Sequence, residues 1–156
     1  MLLLKRLQNE VKRAQEALPE GVLRLSPKGE NMLEWDAAIS GPSDSPYEGG
    51  TFELLITIPD GYPLCPPKVK FITRIYHPNI SSSGYICLSI LKPSASGSEG
   101  KWVPGTTLSM LMVAIRSLLT DPNLDDPIVP SIAREKADTP DVFCFKAKKW
   151  TEKYAK

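Results

Sequence analysis

Histidine is what this chain has least of: one residue, His77, in 156. A single imidazole cannot furnish a histidine-rich metal centre, and it leaves any nucleophile in the chain short of general bases. Cysteine is nearly as scarce. Cys65, Cys87 and Cys144 are odd in number and widely spaced, which argues against a disulfide framework and a CxxC zinc site, so no metal is expected. A net charge of +1 gives no overall pull toward nucleic acid or membrane, and neither is expected as a partner. Long apolar runs are missing too. The opening MLLLKR has only three leucines before basic residues, too few for a signal-peptide core, and no segment is long enough to cross a bilayer. A reducing compartment, cytoplasmic or nuclear, fits this balance. The stretch GSEGKW is no phosphate loop, because Gly97 and Gly100 stand too close and Trp102 occupies the place of the magnesium-binding hydroxyl.

The hydrophobic content of 42% and charged content of 24% suit a globular chain, and the length suits one domain over residues 1–156. Leu4, Leu7, Val11, Ala14 and Leu18 recur with a helical period, and Lys5, Arg6, Lys12 and Arg13 line a neighbouring face. This predicts an amphipathic helix stopping near Leu18-Pro19. Four segments with period-two alternation follow. In the first, Leu23 and Leu25 alternate with Val22, Arg24 and Ser26. The others carry Leu33, Trp35, Ala37 and Ile39; Phe52, Leu54, Ile56 and Ile58; and Val69 with Phe71. SPKGEN and SGPSDSPYEGG supply turns, so an antiparallel meander with one buried face is expected. PDGYPLCPPK is too rich in proline for regular pairing and reads as an extended connector. Beyond Gly105, TTLSMLMVAIRSLLT is apolar nearly all round, the pattern of a buried central helix that Thr106 or Thr107 can cap. VPSIAREKA and a last helix capped by Thr139, with Pro140 and Asp141 in its first turn and a stripe of Phe143, Ala147, Trp150 and Tyr154, complete an α+β domain.

Between Ile75 and Gly105 periodicity fades, and KPSASGSEGK reads as an exposed loop. Yet Ile75, Tyr76, Ile80, Ile86, Leu88, Ile90 and Leu91 are apolar and must pack. An ordered, irregular segment of this length is usually functional. It holds YHPNI and, eight residues after Asn79, Cys87. Taken alone, a cysteine is most often a small buried hydrophobe. Cys65, among prolines, and Cys144, beside the last stripe, match no motif and are read that way.

The combination YHPNI…G.ICL.IL, with W.P and DPN.DDP downstream, resembles the ubiquitin-conjugating enzymes. The likeness extends over essentially the whole chain through GP..SPYEGG.F, YP..PPKV.F and the final W…YA. It implies the ubiquitin-conjugating fold, and a Cys87 that accepts ubiquitin from the activating enzyme as a thioester and passes it to a substrate lysine, usually with a ligase, most often of the RING type. Thioester exchange between thiols is nearly neutral in energy and needs only a modest thiolate fraction, which explains the missing base. Amine attack is harder: it generates an oxyanion and requires a neutral lysine. The resemblance implies that Asp126 orients the amine and takes its proton. Asn79 either bonds the oxyanion or holds the loop. His77, with Tyr76 and Pro78, serves loop architecture, and Asn123, Asp125 and Ser89 support the site. Lys5, Arg6, Leu64, Pro104 and Gly105 are implied to meet the activating enzyme and ligase. No cofactor is expected, since ATP belongs to the activating enzyme, and the chain is expected to be monomeric.

Several positions depart from the family pattern. Ser89 stands where many members have aspartate, Leu124 replaces a common proline, and Leu64 a common phenylalanine. The loop from Pro93 to Lys101 is longer than in minimal members, and LK…GKW.P resembles the DNA-crosslink-repair (Fanconi-type) branch. Arg24, on the polar face of the first strand, is expected to oppose a second ubiquitin on the open sheet face and so to favour single transfers. Three functions compete: an active conjugating enzyme for ubiquitin or a ubiquitin-like modifier, a non-catalytic binding module of the same pathway, and a cysteine hydrolase.

Overall fold

A computed structural model describes residues 2–94 and 100–156. Helix α1 (Leu2–Glu16) leads into strands β1 (Val22–Lys28), β2 (Asn31–Ser40), β3 (Thr51–Thr57) and β4 (Lys68–Phe71). These pair antiparallel in sequence order. Helices α2 (Leu108–Thr120), α3 (Pro130–Asp138) and α4 (Pro140–Tyr154) follow. The register sets Trp35 opposite Ile56, Ala37 opposite Leu54, and Ile39 opposite Phe52. That buried face packs against Leu108, Leu111, Met112, Ile115 and Leu119 of α2. Fully burying a side chain of this size contributes about 1.5–3 kcal/mol, so α2 is the pillar on which the sheet rests. Thr107 caps it, its side chain accepting from the Met110 N–H, and the helix ends at Asp121 before a proline.

Several expectations need correction. Helix α1 stops at Glu16, and Leu4 and Leu18 are exposed while Leu7, Ala14 and the charged Glu10 are buried. In β1 the register slips between Val22 and Arg24, which pair with Ile39 and Ala38. This bulge turns Val22 inward and leaves Leu23 outside, because one extra residue shifts the alternation by one face. Leu33 is exposed, the burial in β2 beginning only at Trp35. Thr139 holds the N-cap position of α4 but does not cap it; its hydroxyl donates instead to the Glu135 carbonyl, which ties α3 to α4. The prolyl connector after β3 is not extended throughout, since Cys65 N–H closes a turn on the Gly61 carbonyl. Cys65 itself is exposed and not part of the core.

Arg24 projects from the outer sheet face as its alternation predicts, but it forms an ion pair with Glu53. A cation already neutralised imposes no unpaired-charge penalty on a second ubiquitin, so the expectation of weak binding there loses its basis. Residues 95–99 lie outside the described residues, and with them most of the predicted loop, the Fanconi-type insertion and the core of GSEGKW. No helix is long and apolar enough to cross a membrane among the described residues.

Candidate active site

The irregular segment is ordered by backbone pairing at its edges. Lys70 bridges Tyr85, and Ile80 bridges both His77 and Ile86. Gly84 makes the first of these contacts possible. Its φ is +95°, and a Cβ there would lie 2.1 Å from the Phe71 carbonyl oxygen, so only glycine lets the segment approach β4. Ile75 and Ile80 are buried in the common core, with Tyr76, Ile86, Leu88, Ile90 and Leu91 packed against it. A short 3₁₀ turn, Ser89–Leu91, follows Cys87.

His77 has no exposed surface. Its Nδ1 accepts the Asn79 N–H at 2.9 Å, and its Nε2 lies 2.8 Å from the Leu118 carbonyl. A backbone amide can only donate and a carbonyl only accept, so the ring is the neutral Nε2–H tautomer. Burial lowers its pKa from 6.5 to about 4; the Leu118 hydrogen bond opposes that shift, and Lys136 adds to it. With both nitrogens committed to backbone, the imidazole has no lone pair to offer Cys87. Tyr76 is held at both ends: its carbonyl accepts from the Tyr47 hydroxyl at 2.6 Å, and its own hydroxyl donates to Glu135 at 2.6 Å. Burial and that carboxylate push the Tyr76 phenol up to about 12.

Pro78 and Asn79 clasp the chain after α2. The Pro78 carbonyl accepts from Ile128 at 2.9 Å and Val129 at 3.0 Å. The Asn79 side chain donates to the Asn123 carbonyl and accepts from the Asn123 N–H, both at 2.8 Å, and Asn79 is fully buried. Its own carbonyl accepts the Cys87 N–H at 2.8 Å. One residue therefore fixes the cysteine and the aspartate-bearing loop relative to each other. Asn123 turns that loop, its Oδ1 accepting from Asp125 N–H at 2.9 Å.

The result is a half-exposed thiol beside a carboxylate. Cys87 Sγ lies 3.6 Å from the Asp126 carbonyl and 3.9 Å from Asp126 Oδ2. The same carboxylate oxygen has Lys92 nearby, its Nζ 3.9 Å from Oδ2. Sequence reasoning passed over this lysine. Ser89 and Asp125 are exposed. The Ser89 carbonyl accepts from both Lys92 and Lys101 N–H at 3.0 Å. Among the described residues no cluster of three metal-ligating side chains occurs.

A second assembly lies away from the thiol. Leu64 (79% exposed) and Val103 (57%) stand on two loops that are pinned together by Trp102, whose indole N–H donates to the Pro63 carbonyl at 2.8 Å. Arg6 ties α1 to them. Its guanidinium donates to the carbonyls of Pro104 at 2.6 Å and Thr106 at 2.7 Å and stacks over the Tyr62 ring. The buried Glu10 completes the knot, accepting from the Tyr62 hydroxyl at 2.6 Å and from the Leu108 N–H at 3.2 Å, with Arg6 and Arg13 alongside. Arg6 and Arg13 are thus engaged within the fold. The solvent-facing cations of α1 are Lys5, Lys12 and Arg13, which stays exposed despite its contact with Glu10, so the four-residue basic face is corrected at Arg6. Tyr62 and Glu10 were missed by the sequence analysis. The signal was present in Glu10, a charged residue set on the apolar stripe between Leu7 and Ala14.

A helix-flanked four-stranded meander thus carries an ordered loop that presents one thiol beside an aspartate, with both nitrogens of His77 held by backbone. Comparison with known proteins identifies the family. The family model for ubiquitin-conjugating enzyme matches residues 6–151. The E2 domain of a Toxoplasma gondii ubiquitin-conjugating enzyme is 40% identical, superposes with a TM-score of 0.85, and aligns over 97% of this chain and 99% of its own. The chain belongs to the ubiquitin-conjugating enzyme family, whose members work with ubiquitin, an activating enzyme and ligases.

Proposed function

We propose that this chain carries ubiquitin as a thioester on Cys87 and transfers it to a lysine of a substrate protein with the help of a RING-type ligase. The observation that carries the reading is the half-exposed Cys87 thiol 3.9 Å from Asp126 Oδ2, on a segment clamped by Asn79. In the first step the Cys87 thiolate attacks the carbonyl carbon of the thioester held by the activating enzyme. A new C–S bond forms, the old one breaks, and the departing thiolate takes a proton. In the second step a neutral lysine amine attacks the Cys87 thioester carbon. The oxyanion collapses, the C–S bond breaks, an amide forms, and the amine's proton passes to Asp126 and on to water.

A free lysine is almost fully protonated at neutral pH, so a carboxylate that accepts that proton at the thiol lowers the barrier. Asp126 has the Lys92 head group within 3.9 Å of Oδ2, so a lysine side chain can approach this carboxylate, which supports its orienting the amine. Asn79 is a positioning residue, because its amide is spent on Asn123. A hydrolase is disfavoured, since His77 has no free nitrogen to act as its base. Leu64, Pro104 and Gly105, with Lys5 and Arg6 beside them, form the surface for the activating enzyme and ligase. The reaction needs no cofactor in this chain and suits a monomer in the cytoplasm or nucleus.

The test is to incubate the chain with activating enzyme, ATP and ubiquitin and separate the products without reductant. A thiol-sensitive adduct is expected, converted to a thiol-resistant ester or lost in Cys87→Ser. Charging of Cys87→Ala at the normal rate would overturn the assignment. Parallel reactions with ubiquitin-like modifiers identify the cargo.

A further inference from the structure

A groove of about 710 Å³ runs between the outer face of the sheet at its β4 edge and the segment carrying Cys87. Its floor is Leu55 and Thr57 of β3, lying directly across from Lys70 and Lys68 of β4. Tyr85, Ile86 and Leu91 form its wall, and Tyr85 is 64% exposed. The lining is mostly apolar, and Lys68 and Lys70 are the charged residues in it among the described residues. Concave apolar surface with a few convergent polar groups is the usual form of a ligand site.

The charges decide the kind of occupant. Elsewhere on the outer sheet face cations are matched: Arg24 pairs with Glu53, and Lys28 with Asp36. Lys68 and Lys70 break that pattern, since among the described residues no acidic side chain pairs with either. An uncharged apolar occupant would desolvate two ammonium groups without compensation. One bearing carboxylates beside its anchor would neutralise them while its apolar side chain fills the floor.

We infer that this groove docks a segment of a partner protein in which a bulky apolar residue is flanked by aspartate or glutamate. Because Ile86 immediately precedes Cys87, a partner seated there lies next to the thiol. Cys65, Pro66 and Pro67 also line the groove, so it adjoins the loop of Leu64 that is assigned to the activating enzyme and ligase.

The test selects peptides from a phage-displayed random dodecapeptide library on the intact chain, with no activating enzyme present, so its outcome does not depend on the conjugating reading. Enriched sequences are expected to carry Phe, Leu, Ile or Met flanked by acidic residues. Their synthetic forms should shift the amide resonances of Leu55, Lys70, Tyr85 and Ile86. The Lys68→Glu/Lys70→Glu chain should bind them roughly tenfold or more weakly, and Tyr85→Ala should weaken them separately through the wall; an unchanged amide spectrum away from the groove shows that each variant is folded. The inference is overturned if nothing is enriched, if the enriched peptides lack acids, if they bind the charge-reversed chain equally well, or if the shifts centre on another surface. Displacement of the peptides by duplex DNA through the same lysines, with DNA binding more tightly, would also overturn it in favour of a nucleic-acid site.

Discussion

Lowering the pH toward 5 should unfasten this protein through one residue. His77 is the only histidine in the chain, so between pH 5 and 7 no other side chain has an ordinary pKa in range. Burial holds its pKa at about 4 in the fold, against 6.5 when exposed. Between those values the unfolded chain binds a proton that the native chain refuses. Stability is therefore complete above about 6.5 and falls as the pH drops toward 4. A gap of about two and a half units, at about 1.36 kcal/mol each, corresponds to ~3 kcal/mol. Near pH 5 about two-thirds of that, ~2 kcal/mol, is already lost, a sizeable fraction of the ~5–15 kcal/mol that holds a typical domain together. Urea unfolding near pH 5 and pH 7.5 measures it, and His77→Gln, with no titrating group, should flatten the difference. If that variant folds poorly, the imidazole resonances of the unaltered chain serve instead. A wild-type stability independent of pH across this range, or an imidazole titrating near 6.5, would refute the reasoning.

Asn79→Ala leaves the Asn123 amide and carbonyl without their partners. It should cost on the order of 1–3 kcal/mol in urea unfolding and slow discharge of pre-charged protein to free lysine by about 10²-fold, through misplacement of Cys87 and Asp126. Slow discharge with unchanged stability would show the amide acting on the oxyanion instead. Asp126→Ala should charge normally but discharge slowly in the same chase; discharge at the wild-type rate removes its proton-accepting role. Glu10→Ala strands Arg6, the Tyr62 hydroxyl and the Leu108 N–H, so a loss of about 3–5 kcal/mol is expected in thermal or urea unfolding. Lys5→Glu/Lys12→Glu should raise the activating-enzyme concentration needed for charging at low salt and have less effect at high salt; no change at either salt would make these lysines an ordinary solvated face.

The sequence by itself determined the alternation that builds the meander, the apolar α2, and the ordered irregular segment with His-Pro-Asn and Cys87. These are local signals, because side-chain period and turn chemistry are written in consecutive residues. It could not show the bulge at Val22–Arg24, since a one-residue slip is settled by how β1 meets β2 and not by β1 alone. Nor could it show that Thr139 forgoes its cap for the Glu135 carbonyl. The site divides in the same way. Cys87 and Asn79 were singled out through the family resemblance that their offset carries, but the commitment of the Asn79 amide to Asn123, across 44 residues, exists only in three dimensions. So do the sealing of His77 beneath Leu118 and the pairing of Arg24 with Glu53. The same holds for Arg6, which sequence places on a solvent-facing basic stripe and which tertiary structure turns onto the carbonyls of Pro104 and Thr106. A charge or amide declares its type in sequence, but its partner, and therefore its work, is decided by which distant backbone groups packing brings within hydrogen-bond reach.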